Sequence, residues 1–496
     1  MNQGIPDYDL LIIGGGINGV GIARDAAGRG LRVLLCEKSD LAGATSSWSS
    51  KLIHGGLRYL ENYDFALVRK ALKEREVLAR AARHIIRPMA FQIPMLEHSR
   101  SSLLVQMGLI LYDNLAKRER FKGSRSLRYG ENSPLNRAIK KGFEYWDAQV
   151  DDSRLVILNA MSAAEKGAHI RVRTECTGLQ VEDGLWRATL HDHVNNREIS
   201  KSARVVVNAS GPWVSELHER LLHDSSRYKL RLVKGSHIVV PRLYEDKNAF
   251  LLQHHDGRVV FVIPYLGKYS LIGTTEEEFT GDLDQVEISA DEINYLVSIT
   301  NLYFRKAIHR DDIVHSFSGV RPLIDGEKST NASKVSRDYQ LVVDKLPAPM
   351  LSIYGGKVTT YRELAEQAMI LLGQFVGRMP GSWTKKATLP GGDFVLEENL
   401  FQELATKHGW LGPDLINRWS HTYGTLSFEI VRNLRSMGDL GVCFGSNLYQ
   451  KEVDYLRQRE WAQTAEDILW RRTKLGYSFS EKEVQSLRNY LQQTSL

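Results

Sequence analysis

Gly14, Gly16 and Gly19 stand in G-x-G-x-x-G spacing, and an acid, Glu37, follows 18 residues after the last of them. That pattern suits the pyrophosphate and ribose of a dinucleotide. Gly14 permits a tight turn, Gly16 lets the backbone approach a pyrophosphate, Gly19 lets helix and strand pack closely, and Glu37 accepts hydrogen bonds from ribose hydroxyls. An acid at this place suits an unphosphorylated ribose, so the pattern points to NAD or FAD rather than NADP. Its position at the head of the chain favours FAD. Thr45, Ser46, Ser47, Ser50 and Lys51 follow in a loop of small hydroxyl residues suited to wrapping a polar ligand. Next, KLIHGGLRYL brings a titratable His54, two glycines, Arg58 and Tyr59 together.

Residues 10–13 and 31–36 are short apolar runs of the kind that make buried parallel strands. Residues 17–29 between them read as a helix whose N-terminus presents N–H groups and a positive dipole end to the glycine turn. RVVVNASGPW places Gly211 just past another buried strand. SIYGGKVTTYR is a second glycine-rich strand-to-helix junction, carrying Gly356, Lys357, Thr359 and Thr360 at the start of a helix that runs to about residue 376. Residues 230–275 read as antiparallel sheet with His237 in KGSHIVVP. In SGVRP, Pro322 limits Arg321 to an extended backbone that aims its guanidinium inward. Beyond TLPGGD at 388–393 the pattern is helical to the end.

Composition narrows the class. With 43% apolar and 25% charged residues the chain is that of a soluble globular protein with several domains. The net charge of +6 suggests an anionic partner. Cys36, Cys176 and Cys443 are scattered and odd in number, which fits a reducing compartment and excludes a disulfide framework. No metal-ligand spacing appears, so no metal is expected. Residues 1–9 resemble neither a signal nor a transit peptide, and no apolar run is long enough to span a bilayer. Residues 103–115 are nearly continuously apolar, flanked by Arg100, Lys117, Arg118, Arg120 and Lys122. They suit either an interfacial helix on an anionic lipid surface or a core helix with a solvated basic end. Near the C-terminus Arg471, Arg472 and Lys474 are balanced by Asp454, Glu460, Glu466 and Asp467, so a helical packing domain is expected and no nucleic acid.

GGGINGVGIARDAAGRG with SSKLIHGGLRYLE resembles the N-terminus of FAD-dependent (aerobic, respiratory) glycerol-3-phosphate dehydrogenases, a branch of the D-amino-acid-oxidase-like flavoproteins. HGGLRYL, KGSHIVVP, VIPYL with GTT, SGVRPL, GGKVTTYR and LWRRTK fall in that family's order over essentially the whole chain. The resemblance implies an α/β + α architecture. A Rossmann-type FAD-binding domain would comprise residues 1–90, 145–225 and 310–386, an antiparallel-sheet substrate or cap domain 91–144 and 226–309, and a C-terminal helical domain 387–496.

It also implies oxidation of sn-glycerol 3-phosphate to dihydroxyacetone phosphate, with electrons passing through FAD to ubiquinone or another membrane quinone. The protein would then be cytoplasmic, lying on the inner face of the membrane, and a homodimer stays open. Arg58, Tyr59, His237, Arg321, Lys357 and Thr359 are expected at the substrate. Gly14, Gly16, Gly19, Glu37, Thr45, Ser46, Ser47, Ser50, Lys51, Gly211, Gly356, Lys357 and Thr360 are expected at the cofactor. A general base must take the C2 hydroxyl proton. His54 has a suitable ordinary pKa, and Arg321 could instead stabilise the developing alkoxide. The rival readings are an amino-acid or hydroxyacid oxidase of the same superfamily, and a non-catalytic nucleotide-binding protein at the membrane surface.

Overall fold

The computed structural model describes residues 5–96, 100–222, 228, 230–254, 257–324 and 338–494. Its first strand, Tyr8–Ile13, pairs in parallel with Val33–Cys36 on one side and Arg197–Asn208 on the other, so that Leu11 faces Leu34 and Val206. Met350–Tyr354 continues the sheet beyond Arg197–Asn208, Gln340–Asp344 closes that edge antiparallel, and His169–Arg171 closes the other. A parallel sheet needs both faces covered. Leu10 and Ile12 face the helices Ile17–Gly28, Asp152–Glu165 and Tyr361–Val376. Leu11 and Leu34 face a hairpin, Thr174–Glu182 with Leu185–Asp192, and the helix Val214–Leu222. The strand, glycine turn, helix, strand and acid expected from the sequence are all present in that order.

The second sheet is antiparallel but for one pair. It runs Glu277–Glu278, Leu230–Pro241, Tyr269–Gly273, Val259–Tyr265, Ala249–Gln253, Ile86–Pro94, Lys141–Val150 and Leu52–Ile53. Ala249–Gln253 and Ile86–Pro94 are the parallel neighbours. His315–Ile324 pairs with Leu230–Pro241 from Val239 opposite His315 to Leu230 opposite Ile324. The expected domain boundaries therefore move. Those at 90 and 145 fall inside strands of this sheet, and His315–Ile324, assigned to the cofactor unit, belongs to it. Strand pairing is non-local, and a run of β-formers does not say which sheet it joins. The helix Ala290–Tyr303 packs on the sheet, opened by a capping box in which Ser289 Oγ accepts from Glu292 N–H and Glu292 Oε2 accepts from Ser289 N–H.

The C-terminal region is helical as expected: Glu397–Lys407, Pro413–Tyr423, Gln450–Glu460 and Glu481–Gln493, with a π-helical turn at Asp467–Arg472. Residues 447–470 read as one helix, but Trp461 adopts φ 56° and ends it after Glu460. Among the described residues no helix is long and apolar enough to cross a membrane, and no cluster of metal-ligating side chains occurs.

Candidate active site

Gly14 follows the first strand with φ 114°, and a Cβ there would lie 2.5 Å from the Ala209 carbonyl oxygen. A Cβ on Gly19 would lie 2.0 Å from the Gly14 oxygen, so both positions exclude any side chain. Ile17 N–H, in the first helical turn, donates to Ser46 Oγ at 3.0 Å. Glu37 is fixed by the turn it faces: Oε2 accepts from Gly15 N–H at 2.7 Å, and Oε1 from Ser39 N–H at 2.8 Å and Ser39 Oγ at 3.0 Å. Glu37, Ser39 and Ser46 line a cavity of about 460 Å³, together with Gly14, Gly16, Thr45, Gly211, Trp48, His315 and Phe317. The glycine cap of a helix, hydroxyls, a carboxylate and aromatic rings on one cavity form a set that fits a dinucleotide with a flat ring system.

Of the expected cofactor residues, Gly14, Gly16, Glu37, Thr45, Ser46 and Gly211 line this cavity. Ser47 Oγ instead donates to Ala44 O at 3.2 Å within its own turn. Ser50 Oγ lies 2.9 Å from His237 Nε2. Lys51 is committed within the protein. Its ammonium is buried 3.0 Å from both Asp152 oxygens and 2.8 Å from Ser47 O, so it braces the loop. Gly355 and Gly356 abut the first helix: Asn18 Nδ2 donates to Gly355 O at 3.4 Å, and a Cβ on Gly356 would lie 2.9 Å from the same nitrogen. Thr360 is buried at the start of the helix Tyr361–Val376.

The cations converge. Arg58 Nη2 lies 3.3 Å from Glu276 Oε2, and Arg321 Nη2 donates to Thr274 Oγ1 at 3.2 Å, so one turn at 274–276 holds both guanidinium groups. The Arg321 head lies flat over Gly235, where a Cβ would come within 2.7 Å of it. Lys357 Nζ sits 4.1 Å from the Tyr59 ring centre, next to Arg58 in sequence. Gly56, at φ 81°, leaves room for both Tyr59 and Lys357. Thr359 Oγ1 is 3.3 Å from both the N and the O of His54, locking that turn to the second glycine junction. The next residue, Gly55, donates to Tyr112 Oη at 2.9 Å, and Tyr112 Oη donates to Asp147, which pairs with Arg75 at 2.6 Å. The half-buried His54 ring faces Phe261 at 6.4 Å.

His237 is also committed within the protein. It is 1% exposed, stacked on Phe317 at 4.9 Å, with Nε2 committed to Ser50. Burial, reinforced by Arg321 and Lys51, holds its pKa well below the ordinary value, so it is a neutral part of the wall behind the site. Sequence reasoning missed Thr274, Glu276 and Glu292. Glu292 Oε1 accepts from Ser236 Oγ at 2.7 Å and Thr275 Oγ1 at 2.6 Å, and its carboxylate lies 2.9 Å from Lys234 Nζ. The available signal was the TTEEE run after a strand, acids beside a site that needs cations placed.

A dinucleotide turn and a cationic pocket carried by a second, mixed sheet define the class: an FAD-dependent oxidoreductase. The FAD dependent oxidoreductase family matches residues 9–351, and the C-terminal domain of alpha-glycerophosphate oxidase matches 382–493. The chain is 50% identical over 488 residues to the glycerol-3-phosphate dehydrogenase of Pseudomonas aeruginosa, covering 98% of this chain and 95% of that one. It is 47% identical over 481 residues to the D-erythritol 1-phosphate dehydrogenase of Brucella abortus, covering 96% of each. In fold it matches the glycerol-3-phosphate dehydrogenase of Bacillus halodurans complexed with FAD, with a TM-score of 0.73 at 24% identity over 98% of this chain and 94% of that one. The chain belongs to the FAD-dependent oxidoreductase family, in its glycerol-3-phosphate dehydrogenase branch, and FAD is its cofactor.

Proposed function

We propose that the chain oxidises sn-glycerol 3-phosphate at C2 to dihydroxyacetone phosphate and passes the electrons to a membrane quinone. The observation that carries this reading is the meeting of Arg58 and Arg321 on the 274–276 turn, with Lys357 beside Tyr59. Arg58, Arg321 and Lys357 offer two guanidinium forks and an ammonium, donors that suit a phosphate dianion. Bound FAD supplies the two-electron acceptor for the hydrogen on C2. Arg58, Arg321, Lys357 and the Tyr59 hydroxyl hold the phosphate and orient the carbon chain. His54 takes the proton of the C2 hydroxyl as the carbonyl forms, and Arg321 stabilises the negative charge that develops on that oxygen.

Anaerobic addition of glycerol 3-phosphate to the yellow protein should bleach its flavin absorbance. Bleaching by an amino acid and not by glycerol 3-phosphate would favour the oxidase reading. The Brucella relative makes a longer polyol phosphate the second substrate reading, and the ratio of kcat/KM for the two phosphates decides between them.

The helix Ser102–Asn114 supports a peripheral membrane location. Leu109 and Tyr112 point into the core at 2% and 3% exposure, while Leu103, Leu104, Met107 and Ile110 are each more than half exposed. Arg69, Lys73, Lys117 and Arg118 rim a shallow basic hollow at the end of that helix. An apolar ridge bordered by cations fits an anionic lipid surface, through which a quinone would be reached. Leu104, Met107 and Ile110 changed together to Asp should release the protein from vesicles containing anionic lipid; retained binding refutes the location.

A further inference from the structure

Residues 467–474 of the C-terminal domain meet the rest of the chain at four places around the cofactor cavity, one of them, His315, in the cavity wall itself. Arg472 donates to Asp40 from Nη1 at 2.6 Å and from Nη2 at 2.8 Å, and Arg471 pairs with the same carboxylate. Asp40 belongs to the loop that closes on the glycine turn: Ala42 N–H donates to Gly15 O at 3.1 Å, and Leu41 fills the space a Cβ on Gly15 would need. Asp467 pairs with Arg173 at 3.0 Å, whose N–H donates to Ser39 O at 2.8 Å. Trp470 stacks on His315 of the cavity wall at 4.7 Å and 13°. Lys474 Nζ lies 3.1 Å from Asp151 Oδ1, one residue before the Asp152 that holds Lys51.

Asp40, Asp467 and Arg472 are all essentially buried. A buried ionic network adds little net stability compared with apolar packing, so its concentration against one wall calls for another account. We propose that residues 467–474 form a clasp that sets how tightly FAD is retained, by holding the 37–45 loop shut over the glycine turn through Asp40. Arg471 and Arg472 are positioning residues in this scheme, and the C-terminal domain acts on the cofactor without touching it.

Arg471→Gln leaves the bidentate Arg472–Asp40 pair in place, so the variant should fold. Loss of the Arg471 contacts to Asp40 and Asp467 should speed FAD release, read as the rise of free-flavin fluorescence on dilution, by at least about tenfold. Excess FAD should restore kcat with KM for the polyol phosphate unchanged. Lys407→Gln, which removes an exposed ion pair with Glu403 elsewhere in the same domain, should leave the release rate alone. Reciprocity supplies a test on the unaltered chain: FAD binding must slow amide exchange in residues 467–474 relative to residues 413–423. If the stripped chain exchanges everywhere, the Arg471→Gln release rate decides. A release rate within about twofold of the unaltered chain, or equal exchange of 467–474 with and without FAD in a folded protein, overturns the proposal.

Discussion

Glu292→Gln tests whether the pocket cations are placed from behind. The carboxylate takes two hydroxyl bonds on Oε1, one backbone bond at 2.8 Å on Oε2, and an ion pair with Lys234 at 2.9 Å. A glutamine oxygen can keep Ser236 and Thr275, but its NH₂ then faces the Ser289 N–H and the Lys234 ammonium, donor against donor. Each charge-assisted bond lost costs about 1.5–3 kcal/mol. Lys234 keeps Glu287 O at 3.1 Å and Glu277 at 3.6 Å, so the total stays near the lower end, about 3 kcal/mol. The amide must shift away from those two donors, and Thr275, still bonded to it, shifts with it beside the Thr274 and Glu276 that hold Arg321 and Arg58.

KM for glycerol 3-phosphate should therefore rise about tenfold, and kcat should fall by a smaller factor, since Arg58 and Arg321 are both loosened on the phosphate, Arg321 also serves the developing charge, and proton transfer at His54 is untouched. The assay is steady-state reduction of a soluble acceptor, with thermal unfolding in parallel. The Glu292 pKa lies below its ordinary value: burial alone would raise it, but the Ser289 N–H, Thr275, Lys234 and Ser236 more than offset this. Its stabilisation is present above the unfolded-state pKa and is lost as pH falls through the folded one. Glu292→Gln should accordingly flatten the acid limb of the stability profile. An unchanged KM together with an unchanged unfolding midpoint would refute the positioning role.

Arg321→Lys replaces a planar fork lying over Gly235 by a shorter point charge, and kcat/KM should fall about 10- to 100-fold; near-normal turnover removes Arg321 from the site. Gly19→Ala puts a methyl 2.0 Å from the Gly14 oxygen and must open the glycine turn. The purified variant should lose most of its bound flavin, and stoichiometric flavin would contradict the turn's role. His84 is fully buried, and burial, with Arg154, Arg87 and His421 near, pushes its pKa down to about 3. Between that value and its unfolded pKa the unfolded chain binds the extra proton, so stability falls as the medium is acidified, at up to about 1.4 kcal/mol per pH unit. His84→Gln should remove that slope between pH 6 and 4, and an unchanged slope shows that other groups set it.

The first βαβ unit was legible because its signals are local. Strand, glycine turn, helix and Glu37 occur within one short stretch, and the structure places them as that stretch implies. The pocket cations were legible as residue types next to glycines and a proline. What the sequence hid were partners supplied by pairing at a distance. Thr274 meets Arg321 because Tyr269–Gly273 and His315–Ile324 both pair with Leu230–Pro241, and Glu276 in the same turn lies against Arg58. Lys51 and His237 looked like ligands because both are polar residues beside functional ones. Burial against Asp152 and Phe317 turned them into supports. The helix Ser102–Asn114 left two readings open, since periodicity cannot choose between two apolar faces; Leu109 and Tyr112 face the core, and Leu103, Leu104, Met107 and Ile110 are outside.

The order of strands in the cofactor sheet has a consequence for synthesis. Tyr8–Ile13 leaves the ribosome early, but its inner neighbour is Arg197–Asn208, and that strand is flanked in turn by Met350–Tyr354. At ordinary elongation rates the gap between the first strand and Arg197–Asn208 alone is roughly 10–40 s. Through that interval the nascent chain carries an unpaired apolar edge, the kind of surface that recruits holding chaperones and templates aggregation. Slow translation between residues 13 and 208 should cut the yield of soluble enzyme more than an equal delay placed after residue 354.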